Sequence, residues 1–266
     1  MVAPDPNYLK NDQYKDASRL AARARLHSRY SRNPYSWFKW QFDLYQLPPD
    51  ARILELGAGA GWLWAGNADR IPEGWQITLS DFSPGMLDEQ RKTLADVPHA
   101  FQHEEIDAQA IPYADATFDA VIANHMLYHV PDRPKAIAEM RRVLKPTGTL
   151  YTATNGAKHL QEIHTLMRRF GFQPSDWLGG FVDVGAYRLE NATEQLQAQF
   201  SQVELLRYDD AIEVRDPQSL IDYILSHPIQ LSAERIVELR AFIQAEIDKT
   251  GVMAITKDMG VLIARP

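Results

Sequence analysis

Residues 53–61 read Ile-Leu-Glu-Leu-Gly-Ala-Gly-Ala-Gly, an apolar run that enters three glycines at alternate positions. Glycine lets the backbone turn tightly and approach a ligand with no Cβ in between. The segment from Trp62 reads as a helix, whose first N–H groups lack partners within the helix and face any polar or negative group placed there. A tight strand-to-helix turn is often glycine-rich for purely structural reasons, so the run gains meaning only from the segments downstream of it.

A second apolar strand, Gln76-Ile77-Thr78-Leu79-Ser80, ends in Asp81, about two dozen residues beyond Gly57. Nucleotide-binding α/β sheets place a carboxylate at this point to accept both ribose hydroxyls. Asp81 also suits a plain helix cap before Phe82-Ser83-Pro84. A third strand-like stretch, Phe101 to Ala108, contains Asp107. A fourth, Phe118 to Asn124, leads into His125-Met126-Leu127-Tyr128-His129-Val130. A helix from Pro134 to Leu144 and a fifth strand from Thr149 to Ala153 complete the series.

The pieces ELGAGAG, LSDFSPGML, IDAQAIPYADATFDAVIANHMLYHV and RRVLKPTGTLY resemble class I S-adenosylmethionine-dependent methyltransferases, especially the small-molecule type related to ubiquinone and menaquinone methyltransferases. The resemblance is strong over residues 50–155 and loose elsewhere. Gly-x-Gly-x-Gly differs from the Gly-x-Gly-x-x-Gly that admits a dinucleotide pyrophosphate. The resemblance implies an α/β fold: a doubly wound, mostly parallel seven-stranded, Rossmann-like sheet with N-terminal helices and an inserted cap. It divides the chain into N-terminal helices covering the site (1–45), a cofactor-binding core (46–156), a cap or lid (157–190) and the remainder of the core (191–266). Within that last part, Gly251 to Ile255 and Gly260 to Ala264 read as a terminal hairpin-like pair.

S-adenosylmethionine, with S-adenosylhomocysteine as product, is the implied cofactor. Gly57 and Gly59 would lie against it, Asp81 would take its ribose, and Glu55 would meet its amino group directly or through water. Asp107 would accept from the adenine amino group, with the Ala108 N–H serving a ring nitrogen. Met86 flanks the adenine or simply packs in the core. Ala58, Gly61, Phe82 and Asn124 complete the core set, and Tyr14, Arg25 and Tyr30 are pocket residues contributed by the N-terminal segment. Trp62 and Trp64 cannot both face the cofactor, because neighbouring helical residues point about 100° apart; packing is expected of each.

Methyl transfer from a sulfonium needs nucleophile, methyl carbon and sulfur held in line, and orientation supplies much of the rate. His125, Tyr128 and His129 are the candidate catalytic residues. For the two histidines three readings stay open: metal ligands four apart, structural residues of the turn, or a base or substrate contact. Met126 stands where a His-Glu-x-x-His zinc motif has its glutamate, and no metal is expected. Trp37, Tyr128, Trp177 and Phe181 are expected to wall an apolar pocket for a flat or greasy small-molecule acceptor.

The 266 residues carry a net charge of −7 and no cysteine. An acidic chain is poorly suited to a nucleic-acid backbone, and the absence of thiols excludes disulfides, thiolate zinc sites and cysteine nucleophiles. Arg19, Arg23, Arg25, Arg29 and Arg32 read as a solvated or internally paired helix face. With no apolar run near 18 residues and no signal-like start, a cytoplasmic protein without membrane contact is expected, as monomer or homodimer. A catalytically inactive cofactor-binding module and a protein or nucleic-acid methyltransferase are the alternative functions.

Overall fold

In the computed structural model, which describes residues 18–172, 184–227, 229 and 231–266, the apolar run becomes strand β1, Arg52–Leu56. Around it lie β2 (Gln76–Asp81), β3 (Phe101–Glu105), β4 (Phe118–Asn124) and β5 (Leu144–Asn155). Ile53 and Leu54 are fully buried, as is every residue from Ala120 to Ala123. Such unbroken apolar strands need cover on both faces, which is the condition of a parallel sheet. β1 pairs in parallel with β2 and β4, β2 with β3, and β4 with β5.

Helices supply the cover. On one face, α5 (Arg133–Val143) starts at Asp132, whose side chain accepts from the Lys135 N–H, and buries Ala136, Ile137, Met140 and Val143. The same cluster takes in Leu189, Ala192 and Leu196 of α7 (Leu189–Gln197). On the other face lie α2 (Trp37–Asp43), capped by Ser36, and the single turn α3 (Trp62–Ala65). α4 (Pro84–Thr93) follows β2 and buries Met86, Leu87 and Gln90.

The terminal strands differ from the sequence reading. β9 (Met259–Arg265) enters the main sheet antiparallel to both β5 and β6 (Gln202–Arg207), giving the order β3-β2-β1-β4-β5-β9-β6. β8 (Met253–Lys257) pairs instead with β7 (Asp210–Val214) in a separate two-stranded sheet, so the expected terminal hairpin does not form. Gly260 is a strand residue of close approach: a Cβ there would lie 2.5 Å from the Leu206 carbonyl oxygen.

Between β6 and β9 the chain therefore makes an excursion: β7, α8 (Pro217–Leu225), α9 (Ala233–Asp248) and β8. With α1 (Ser18–Tyr30) and α6 (Gln161–Arg169) these elements share a second apolar cluster, in which Leu26, Ile163, Ile221 and Ile243 are buried. Part of 191–266 thus packs in this second cluster, called the cap below, rather than in the sheet. A buried ion pair lies at its base, Lys257 Nζ to Asp210 Oδ2 at 2.6 Å, with the two side chains 4% and 0% exposed. Ser31 and Asn33 donate to the same carboxylate and tie the end of α1 to it.

Candidate active site

The strand order reverses between β1 and β4, and their carboxyl ends leave a crevice where open α/β sheets bind ligands. The glycine turn leaves β1 and Asn124-His125 leaves β4 at this point. The crevice opens into a cavity of about 1130 Å³ that continues under the cap. Sites for a single drug-sized ligand run from about 300 to about 1,000 Å³, so this cavity stands at the upper end of that range.

Glu55, Gly57, Ala58 and Gly59 line it from the end of β1, and Asp81, Phe82 and Met86 from the end of β2. Asp107 and Ala108 come from beyond β3, and Asn124 from β4. Gly57 and Gly59 have φ of +65° and +55°. A Cβ on Gly57 would stand 2.8 Å from that of Met126, whereas one on Gly59 would meet only Leu20 at 3.6 Å. Gly59 is therefore small because its backbone faces the cavity.

Asp81 accepts from the backbone N–H of Gly59 (3.0 Å) and of Ser83 (2.9 Å), which locks the glycine turn to the second strand. Loss of water raises its carboxyl to about 6, against the pull of the Ser83, Gly59 and Phe82 N–H groups. Glu55 is 3% exposed. Trp64 Nε1 donates to it at 2.6 Å and Asn124 Nδ2 at 3.3 Å. Burial lifts Glu55 to about 7, opposed by these two hydrogen bonds and reinforced by the charge of Asp81. Asn124 Oδ1 is buried with no hydrogen-bond partner among the described residues. A buried acceptor beside a buried acid is what a cationic ammonium group would satisfy. Asp107 is exposed and accepts from the backbone and side-chain nitrogens of Gln109, which fixes its turn.

Two expectations are corrected. Gly61 does not line the cavity: it caps α3 with φ of +78°, and a Cβ there would press on Leu94 at 3.0 Å. Tyr30 is turned away, its hydroxyl bonded to Asp216 and, at 3.0 Å, to Ser219 at the start of α8. Arg25 does line the cavity. Tyr14, Trp177 and Phe181 lie outside the described residues. Trp64 packs in the core as expected, but Trp62 lines the cavity.

His125, Tyr128 and His129 also reach the cavity, as does Trp37, whose ring centroid is 5.8 Å from that of His125. His125 has φ of +51°, and residues 127–129 form a 3₁₀ turn, so the two histidines do not share an α-helical face. Among the described residues no three His, Asp or Glu are placed to hold a metal ion. Burial lowers His125 to about 4, with Lys257 adding to the effect, and lowers His129 to about 3, with Arg23 adding. Both imidazoles are neutral at pH 7.

The cap contributes residues that carry no site signal in the sequence. His27 and His159 stack with centroids 5.6 Å apart, and His164, Arg188, His227 and Lys257 join them around the cavity. Arg23, read as part of a solvated or internally paired face, lines the cavity and bonds to the side-chain and backbone oxygens of Ser226. This part of the wall is therefore less apolar than the pocket expected from the sequence. Among the described residues no helix is long and apolar enough to cross a membrane.

Residues 54–152 match the family profile described as a methyltransferase domain. The chain is 35% identical over 116 residues to the ubiquinone/menaquinone biosynthesis C-methyltransferase UbiE of Teredinibacter turnerae, covering 43% of this chain and 47% of that protein. It thus spans about half the length of that relative. Among solved structures, the cyclase SpnF superposes with a TM-score of 0.60 at 19% identity, covering 100% of this chain and 98% of that one. A phosphoethanolamine N-methyltransferase 2 of Haemonchus contortus, solved in complex with S-adenosyl-L-methionine, superposes with a TM-score of 0.60 at 17% identity, covering 98% of this chain and 60% of that one. At such identities the structural likeness speaks to fold alone. The glycine turn, the acid after β2 and the strand order agree with these matches: residues 54–152 form a methyltransferase domain, and the chain resembles the ubiquinone/menaquinone C-methyltransferases.

Proposed function

We propose that the protein transfers the methyl group of S-adenosylmethionine to a small molecule held under the cap. The observation that carries this reading is the continuous cavity, which joins the glycine–acid edge to the space under the cap. When bound, the cofactor supplies a methyl group already activated by a sulfonium. The residues of this chain then have three tasks. Gly57 and Gly59 let the backbone lie against the ligand, Asp81 presents carboxylate oxygens to the ribose, and Glu55 with Asn124 Oδ1 takes the ammonium. Asp107 and Ala108 meet the adenine edge, between Phe82 and Met86. The cap excludes water, which favours an aligned displacement.

In that displacement a lone pair or carbanion of the acceptor forms the new bond to carbon as the sulfur–carbon pair returns to sulfur, and any surplus proton leaves to solvent. A general base works best with a pKa near the working pH, and an imidazole lowered to about 3 does not meet that condition. His129, Tyr128 and His125 therefore serve as neutral contacts that orient the acceptor, with Trp37 as an aromatic wall. The curated relative named above methylates carbon in quinone biosynthesis by its name, so quinols belong in any acceptor panel. A cavity roofed by α1, α6 and α8 favours a small acceptor over a nucleic acid or protein. The test is calorimetric binding of S-adenosylmethionine followed by transfer of labelled methyl to a panel of quinols, phenols, amines and carboxylates. Cofactor binding with no transfer to any acceptor would favour the inactive binding module.

A further inference from the structure

The charges on the cavity wall are sorted by side. Around the cofactor edge stand Glu55, Asp81 and Asp107; the cap elements bring Arg23, exposed Arg25, Arg188 and Lys257, and the lining holds no other carboxylate of the described residues. Lys257 is neutralised by Asp210. Among the described residues neither Arg23 nor Arg188 has a carboxylate partner: half-buried Arg23 bonds to the neutral oxygens of Ser226, and Arg188 is half-buried as well. A guanidinium held partly out of water is costly without a counter-anion, and its planar fork matches the oxygens of carboxylate or phosphate.

The neighbouring groups cannot supply that anion. The field of Arg23 reaches His129, Tyr223 and His227, and that of Arg188 reaches His164. His227 is within the field of His164 as well as that of Arg23. All these imidazoles are kept in the neutral form, chiefly by burial, so they donate or accept hydrogen bonds without adding charge of either sign. The Nδ1 atoms of His27 and His159 are buried with no hydrogen-bond partner among the described residues. The cap side is thus a polar, net-positive chamber with hydrogen-bonding capacity left over, joined to an acidic cofactor side.

We infer that the methyl acceptor carries an oxyanion, a carboxylate or a phosphate, held by Arg23 and Arg188 on the cap side of the cavity. This rests on the proposed methyltransferase reading and narrows its acceptor class. The anion would anchor the acceptor at the end remote from the cofactor and leave its nucleophilic atom near Tyr128 and His125. Trp37 supplies the aromatic surface on which the body of the acceptor lies.

The test is calorimetry on protein saturated with S-adenosylhomocysteine, titrated with benzoate, phenyl phosphate and the neutral isostere benzamide. At least one anion is expected to bind about tenfold or more tightly than benzamide, and the tighter of the two identifies the oxyanion. Arg23→Gln and Arg188→Gln should each weaken that anion about tenfold while leaving benzamide and S-adenosylhomocysteine unaffected. Affinity for S-adenosylhomocysteine reports that each variant is folded; if Arg23→Gln loses its fold, Arg188→Gln decides. Equal binding of benzamide and both anions, or no saturable binding of either anion up to about 10 mM, overturns the inference and leaves the methyltransferase reading standing. Failure of the wild-type protein to bind S-adenosylhomocysteine overturns both.

Discussion

The two sides of the cavity are built by different means. The cofactor edge comes from one continuous stretch, 53–130, in which each strand is followed at once by its loop, so the residues that line it are set by local order. The cap side comes from α1, α6, β7, α8 and β8, brought together by bonds such as Arg23 to Ser226, 203 residues apart, and Lys257 to Asp210, 47 apart. The edge presents acids and glycines; the cap presents arginines and histidines. A parallel sheet carries its ligand site in short-range sequence, whereas the specificity wall above it depends on long-range packing and can vary independently of the edge.

The largest effect that separates the two sides is expected at Lys257. Lys257→Met would leave Asp210 buried without its counter-charge, which typically costs about 3–5 kcal/mol. Chemical denaturation should show that loss, with the β7–β8 sheet and α1 losing amide protection before β1, β2 and β4. Uniform loss of protection across both regions would show that the cap and the sheet unfold as one unit.

Acid should act on the buried histidines and the buried carboxyls with opposite signs. His27, His129 and His227 are lowered from 6.5 to about 3 and His125 to about 4, so from pH 6.5 down to about 4 the unfolded chain binds protons that the folded one refuses. Their contribution to stability is present above pH 6.5 and is lost as pH falls. Glu55 and Asp81 work the other way, because the folded state keeps their protons up to about 7 and 6. His159 is also held well below its usual value, and His99, His103 and His164 are lowered as well, so the histidines outnumber the two carboxyls and acid favours unfolding on balance, less where cavity water screens the rings. Melting temperature should therefore fall steeply between pH 6.5 and 5. A flat profile there would mean that the imidazoles are not held neutral.

At the cofactor edge, Asp81→Ala should weaken S-adenosylmethionine by about 1.5–3 kcal/mol, the scale of lost hydrogen bonds to a charged group. Part of that loss comes through the glycine turn, since Asp81 holds the Gly59 N–H. Unchanged affinity in calorimetry would remove Asp81 from the ribose role. The smallest effect is expected at His129. Its replacement by Ala should lower turnover less than tenfold and leave the rate flat from pH 6 to 9, whereas loss of a true base costs about 10²–10⁴-fold. A loss of that size, with a pH dependence removed by the substitution, would restore His129 as a base.

The legibility of the sequence divides along the same line. Glu55, Gly57, Asp81 and Asn124 can be placed at the crevice in advance because each lies at or just past the end of a strand whose apolar run is plain, whereas Asp107 follows the polar Phe-Gln-His-Glu-Glu of β3 and is legible only through the resemblance. Gly61 lies in the same motif yet serves the helix cap, a distinction set by Leu94 more than thirty residues on. Tyr30 is drawn away by Asp216 and Ser219, which only the α8 excursion brings near. The strand Asp210–Val214 escapes a sequence reading, and its partner Met253–Lys257 looks like half of a hairpin, because strand pairing across an inserted helical pair leaves no local signal. Arg23, His159, His227 and Lys257 become site residues through that same pairing.

Whether the glycine–acid edge holds S-adenosylmethionine is decided most sharply at Gly59. A Cβ there would make only an ordinary contact with Leu20 at 3.6 Å, so Gly59→Val should intrude on the ligand far more than on the fold. Paired calorimetric titrations with S-adenosylmethionine should show saturable one-to-one binding to the wild type. In Gly59→Val the affinity should fall by about a hundredfold or more, with melting lowered only by the strain of a side chain at positive φ. No binding to the wild type, or equal affinity in a folded Gly59→Val, would overturn the assignment of that edge to the cofactor.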